Sequence, residues 1–180
     1  MAVWDPDAAY SHPVGFDIAS TGFVNKVWGA TVLAQTVSVL SASGYRVVQL
    51  DAEAWRGIDD FHDAISGALA FPDYYGRNLD ALSDCLGDVA EQAYGWESAD
   101  AGLVIIVHGF DLFHRLEPRT AIGFSRLCQS AGQYAALFGH RMLTLLKVED
   151  ENFTFEPAAL LTVPWIAAEF LDSARTRLSR

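Results

Sequence analysis

The sequence predicts an α/β fold: a small three-stranded parallel sheet flanked by helices. Three observations predict it. Apolar-rich segments recur at 45–50, with β-branched residues, at 103–107, as a continuous apolar run, and at 142–148. The segments between them carry apolar residues at helical spacing instead. The resulting order is strand, helix, helix, strand, helix, strand, and helical crossovers between apolar strands imply parallel pairing with right-handed connections.

Taken in order, residues 1–15 are rich in Pro, Asp and Tyr and are expected to be irregular, with a short strand over 14–18. From 23 to about 43 the pattern reads helical. Val24, Val27, Trp28, Val32 and Val39 lie on a wide stripe and Gly44 stops it. The β-branched content of 31–39 leaves a strand as the competing reading. After the first core strand, 59–69 is a helix with acids in its first turn and Phe61, Ile65, Ala68 and Leu69 facing inward. A tight loop follows, then a helix over 78–89. A polar connection leads to Leu-Val-Ile-Ile-Val at 103–107, the pattern of a strand buried on both faces. A long helical stretch over 113–138 is interrupted near Pro118, stopped by Gly139, and leads to the last core strand. In the tail, 157–161 reads as a turn or short helix. A final helix is expected from 165 to about 177, with Ile166, Phe170 and Ala174 facing the body. The chain thus divides into an N-terminal extension packing on the core (1–44), an α/β core (45–148) and a C-terminal helical extension (149–180), all in one globular unit.

Composition narrows the function. A chain of 180 residues with 51% apolar content is long enough to bury a substantial core. The net charge is −11. Such a surface repels nucleic acids and anionic membranes and attracts basic proteins. The two cysteines, Cys85 and Cys128, fall in apolar helical patterns and are expected to be buried thiols of a cytoplasmic protein. No metal-ligand spacing, basic-apolar leader or membrane-length apolar run is visible, and no cofactor is expected.

The most informative stretch is 71–86, Phe-Pro-Asp-Tyr-Tyr-Gly-Arg-Asn-Leu-Asp-Ala-Leu-Ser-Asp-Cys-Leu. Pro72 and Gly76 predict a sharp bend, with Gly76 free to adopt left-handed backbone. Asn78 is placed to cap the helix that follows. Asp80 and Asp84 are four residues apart, so both carboxylates lie on one helix face beside the tyrosines. A like-charge pair of this kind costs stability, which points to a cationic partner; a merely solvated acidic face is the plainer reading.

The run Tyr74-Tyr75-Gly76-Arg77-Asn78-Leu79-Asp80-Ala81-Leu82-Ser83-Asp84, with Gly57-Ile58-Asp59-Asp60-Phe61-His62 upstream, resembles the barstar family of ribonuclease inhibitors over roughly residues 45 to 148. The resemblance implies the same three-stranded fold. It also implies a protein that catalyses nothing and blocks a basic ribonuclease, such as a toxin made by the same cell. Asp80 and Asp84 would enter the enzyme's cationic pocket, with Asp84 deeper. Tyr74 would stack on its catalytic histidine, and Gly76 and Asn78 would make contacts through the loop and helix start. Three positions depart from the family pattern. Ser83 replaces an aromatic, Asp88-Val89 replaces Gly-Trp, and an acid expected before the final strand falls at Tyr134.

Two other classes of function are weighed against this. Asp80 and Asp84 as a glycosidase pair would need unlike environments across a cleft, which one exposed helix face does not supply. His108 at a strand end, with Asp111 and His114, could form a metal or acid/base site, but a strand-end histidine in a polar loop is the stronger reading, since no third ligand is evident. A non-inhibitory interaction module would need an exposed aromatic patch. Trp55, Trp96 and Trp165 are the surface candidates, whereas Trp28, Phe61, Phe71, Phe124 and Phe138 fall on core stripes.

Overall fold

The computed structural model describes residues 14–156 and 161–171. The elements are α1 (Val14–Thr21), β1 (Val24–Val27), α2 (Ala30–Ala42), β2 (Tyr45–Asp51), a 3-10 turn (Ala52–Ala54), α3 (Ile58–Ala68) and α4 (Leu79–Ala90). They continue with β3 (Gly102–His108), α5 (Phe110–Leu116), α6 (Pro118–Leu137), β4 (Met142–Lys147) and α7 (Ala168–Leu171). The expected parallel α/β architecture is present. The sheet has four strands rather than three, in the order β1-β4-β3-β2, with every neighbouring pair parallel.

Both faces of the sheet are covered. Leu103, Ile105 and Val107 of β3 point into one core with Phe61, Ile65, Leu82, Leu86, Phe113 and Phe124 from the helices α3 to α6. Val104 and Ile106 point into the other, with Leu143 and Leu145 of β4 and with Ile18, Val32, Leu33, Leu40 and Ile166. This explains why β3 is apolar at every position from Leu103 to Val107. Each large side chain so buried contributes about 1.5–3 kcal/mol. In the first core Phe61 stacks on Phe113 at 4.8 Å, and Trp55 meets both rings edge-on.

The differences in secondary structure lie toward the N-terminal side. Residues 14–18 form the start of α1 and not a strand; Ser20 and Thr21 hydroxyls bond back to Asp17 and Ile18 carbonyls and close it. The expected helix over 23–43 divides into β1 and α2. Val24 and Val27, three residues apart, fit a helical stripe as well as a strand buried on both faces. The start of α2 is set from elsewhere. Gly29 offers no capping side chain; instead the Glu169 carboxylate accepts the amides of Trp28 (2.6 Å) and Gly29 (2.8 Å). No local signal marks that boundary.

β1 lies along β4, pairing Val24 with Thr144 and Val27 with Lys147. Its outer edge is bridged by the tail: Lys26 donates its amide to Pro164 and accepts from Ile166. The Lys26 ammonium donates to the Phe153 carbonyl and sits 4.4 Å over the Trp165 ring.

Several aromatic assignments change. Trp96 is buried, its indole N–H held by the Val89 carbonyl at 2.7 Å. Trp55 and Trp165 are half-buried, as are Trp28 and Phe71. Phe138 and Phe170 are exposed, contrary to their place on apolar stripes; Phe138 lies just beyond the last turn of α6, where the stripe leaves the body. Residues 157–160 of the expected tail turn and the helical positions after 171, Ala174 included, lie outside the described residues.

Candidate functional site

The site is built by α3, the loop after it and α4. α4 carries its apolar residues Leu82, Cys85, Leu86 and Val89 on one side, so burial of that side forces Asp80, Ser83 and Asp84 to the other. Its start is fixed locally. The Asn78 side chain accepts the Ala81 amide at 2.9 Å and donates to the Gly76 carbonyl at 3.1 Å.

The loop bends as expected but not where expected. Left-handed backbone falls at Ala70 (φ 54°) and Arg77 (φ 50°), not at Gly76. A Cβ on Gly76 would lie 3.3 Å from both Ala81 and Asn78, so close packing on the helix start, and not left-handed backbone, is what favours glycine.

Two contacts tie the loop to α3. Tyr75 is half-buried between Phe71 and His62, with its hydroxyl 2.6 Å from His62 Nδ1. Burial pushes the Tyr75 phenol up to about 12 and the His62 imidazole below its ordinary value. Arg77 pairs with Asp63 and Asp59 and also donates to the Asp59 carbonyl at 2.9 Å. The hydrogen bond from Arg77 holds the Asp63 carboxyl below the usual range. The sequence reading passed over this clasp, although Arg77 is the one cation of the loop and Asp59 and Asp63, four apart, share a helix face.

On this frame Tyr74 stands 82% exposed. Asp80 and Asp84 are exposed and make no hydrogen bond or ion pair among the described residues. Tyr74, Gly76, Asn78, Asp80 and Asp84 thus belong to one continuous loop and helix start. Farther along α4, Tyr134 of α6 donates its hydroxyl to Glu91, so the residue at the missing-acid position brings in a carboxylate from the neighbouring helix end.

The other candidates do not assemble. His108 Nε2 lies 2.8 Å from the Gln49 amide oxygen. Asp111 is buried and accepts the Glu149 amide and Arg115, while His114 packs against the Phe153 and Phe155 rings. Among the described residues no group of three His, Cys, Asp or Glu side chains is placed to hold a metal ion. Nor is any described helix long and apolar enough to cross a membrane.

The comparisons with known proteins bear on the family of the chain. Residues 45–147, more than half of the chain, match the family model described as Barstar (barnase inhibitor). A Bacillus subtilis protein named "Putative ribonuclease inhibitor YrdF" is 39% identical over 66 residues. That match covers 37% of this chain and 63% of the relative, slightly under two thirds of its length. Fold, motif and family match together show that the chain belongs to the barstar family.

Proposed function

We propose that this protein is an intracellular inhibitor that binds a basic ribonuclease and closes its active site with the loop and first turns of α4. The observation that carries the reading is the pair Asp80 and Asp84. Two exposed carboxylates one helical turn apart, with no partner among the described residues, sit beside an exposed Tyr74 on a loop already fastened to α3. A ribonuclease site must neutralise a phosphodiester and is lined with cations. Carboxylates at this spacing occupy phosphate positions and form charge-assisted hydrogen bonds with arginine. Tyr74 offers a ring to stack on the enzyme's catalytic histidine, and Gly76 and Asn78 lie against its rim. The net charge of −11 speeds encounter with a basic enzyme. Preorganisation matters because ordering a loop at the moment of binding subtracts from affinity.

The test is a ribonuclease assay with barnase, followed by affinity capture of ribonuclease activity from the source cells and their medium. Wild type and Asp80→Ala/Asp84→Ala are compared side by side. Inhibition by wild type and its loss in the double variant support both function and site. Equal inhibition by the two proteins moves the site elsewhere, and no ribonuclease bound in either experiment removes the function.

A further inference from the structure

The acidic face of α4 does not stop at Asp84. Asp80, Asp84, Asp88 and Glu91 recur every three or four residues, which places four carboxylates on one ridge about 16 Å long. Its far end meets α6. There Tyr134 holds Glu91 through its hydroxyl, and the Phe138 ring packs edge-on against Tyr134 at 5.0 Å. Leu137 is 81% exposed and Phe138 51%. Single exposed apolar residues are ordinary. Here three lie together at one helix end, tied to the acidic ridge by a hydrogen bond.

We infer that the partner-binding surface runs the length of α4 and ends on the platform of Tyr134, Leu137 and Phe138, and that it receives a basic protein surface carrying an apolar side chain among its cations. This rests on the ribonuclease-inhibitor reading and says where a second contact lies. Charge selects the occupant. A second copy of this chain would bring one acidic surface against another, and a purely apolar partner would leave four carboxylates opposite no cation. Ridge and platform together fit within one face of a standard interface of about 800 Å² per partner.

The probes are two synthetic peptides of equal charge, one alternating arginine with leucine and the other arginine with serine. Each is titrated into the ¹⁵N-labelled protein and followed by NMR. Both peptides should perturb the Asp80 and Asp84 amides, less so at high salt. The leucine peptide alone should perturb residues 134–138, and it should bind roughly tenfold tighter. Leu137→Ser/Phe138→Ser changes two exposed side chains and should erase that advantage while leaving the ridge response intact. If the leucine peptide gains nothing, or the variant binds it equally well, the platform is overturned and the acidic site stands. If neither peptide perturbs Asp80 or Asp84, the inhibitor reading falls together with the platform. Sedimentation of the free proteins is the companion measurement. A dimer of wild type that the double variant abolishes would assign the platform to self-association and overturn the proposal.

Discussion

Arg77 of the loop is ion-paired with Asp63 of α3, fourteen residues earlier, and a second carboxylate, Asp59, completes the clasp. A free cation at this point would oppose a basic partner, so the pairing both neutralises Arg77 and fastens the loop. Arg77→Ala should therefore weaken partner binding roughly threefold to tenfold through loss of loop order, with little change in thermal stability. Calorimetric titration gives the affinity, and faster amide exchange over residues 71–78 gives the loosened loop.

Asp84→Ala should cost about 2–5 kcal/mol of binding, because the partner's arginines are left buried and unpaired, and Asp80→Ala should cost less. Neither should change folding stability by more than about 0.5 kcal/mol, since both are exposed and removing one of two like charges relieves repulsion. Urea melts alongside inhibition constants separate the two effects. Equal loss of stability and binding would mean that the aspartates act through the fold.

Acid should destabilise the protein before its carboxylates titrate. His62 and His114 both sit below their ordinary value, chiefly because burial disfavours the charged ring. The unfolded chain therefore binds more protons than the folded one as pH falls below about 6.5, and stability declines through that window. His62→Gln should flatten part of the slope. Denaturant midpoints measured from pH 7.5 to 5 check it; a wild-type profile level across that range would contradict the expected burial.

Tyr75 predicts the opposite limb. Its phenol is held up to about 12, so the unfolded chain ionises first as pH rises past 10 and stability falls there. Tyr75→Phe should reduce this alkaline loss. It also removes the hydroxyl beside His62 Nδ1, so amide exchange in the loop should quicken.

A fragment of residues 45–148 should be poorly soluble. It removes the cover from Val104, Ile106, Leu143 and Leu145 and bares the edge of β4, an open template for pairing with another chain. Glu169→Ala in the full chain is the milder test. It strips the Trp28 and Gly29 amides of their acceptor and should cost about 1–3 kcal/mol. Light scattering of the fragment and melting of the variant are the readouts.

Much of the architecture could be read locally. The three core strands announce themselves by apolar-rich segments, unbroken at 103–107, and Asn78 marks the start of α4 because its cap is its own side chain. The fourth strand was illegible because β1 is four residues long and its defining contacts are distant: Thr144 on one edge, the 164–166 backbone on the other. The boundary before α2 was hidden for the same reason, its cap being Glu169. At the site, the spacing of Asp80 and Asp84 and the neighbouring tyrosines was visible. The support of the loop was not, because the Arg77 clasp and the Tyr75–His62 contact depend on how α3 lies against the loop. Trp96 was misplaced because a polar stretch can still send one indole inward when a carbonyl such as that of Val89 waits for its N–H.

The long reach of β1 also bears on biosynthesis. Its partner strand follows about 120 residues later, and the carboxylate that anchors the start of α2 follows some 140 residues later. Synthesis runs from the N-terminal side, so α2 can pack on β2 soon after it emerges, whereas β1 has no strand to pair with and the start of α2 lacks its carboxylate. Those two contacts must wait until β4 and then the tail have been made. The motif-bearing middle of the chain can assemble while these contacts remain unmade, which leaves β1 among the last elements to settle.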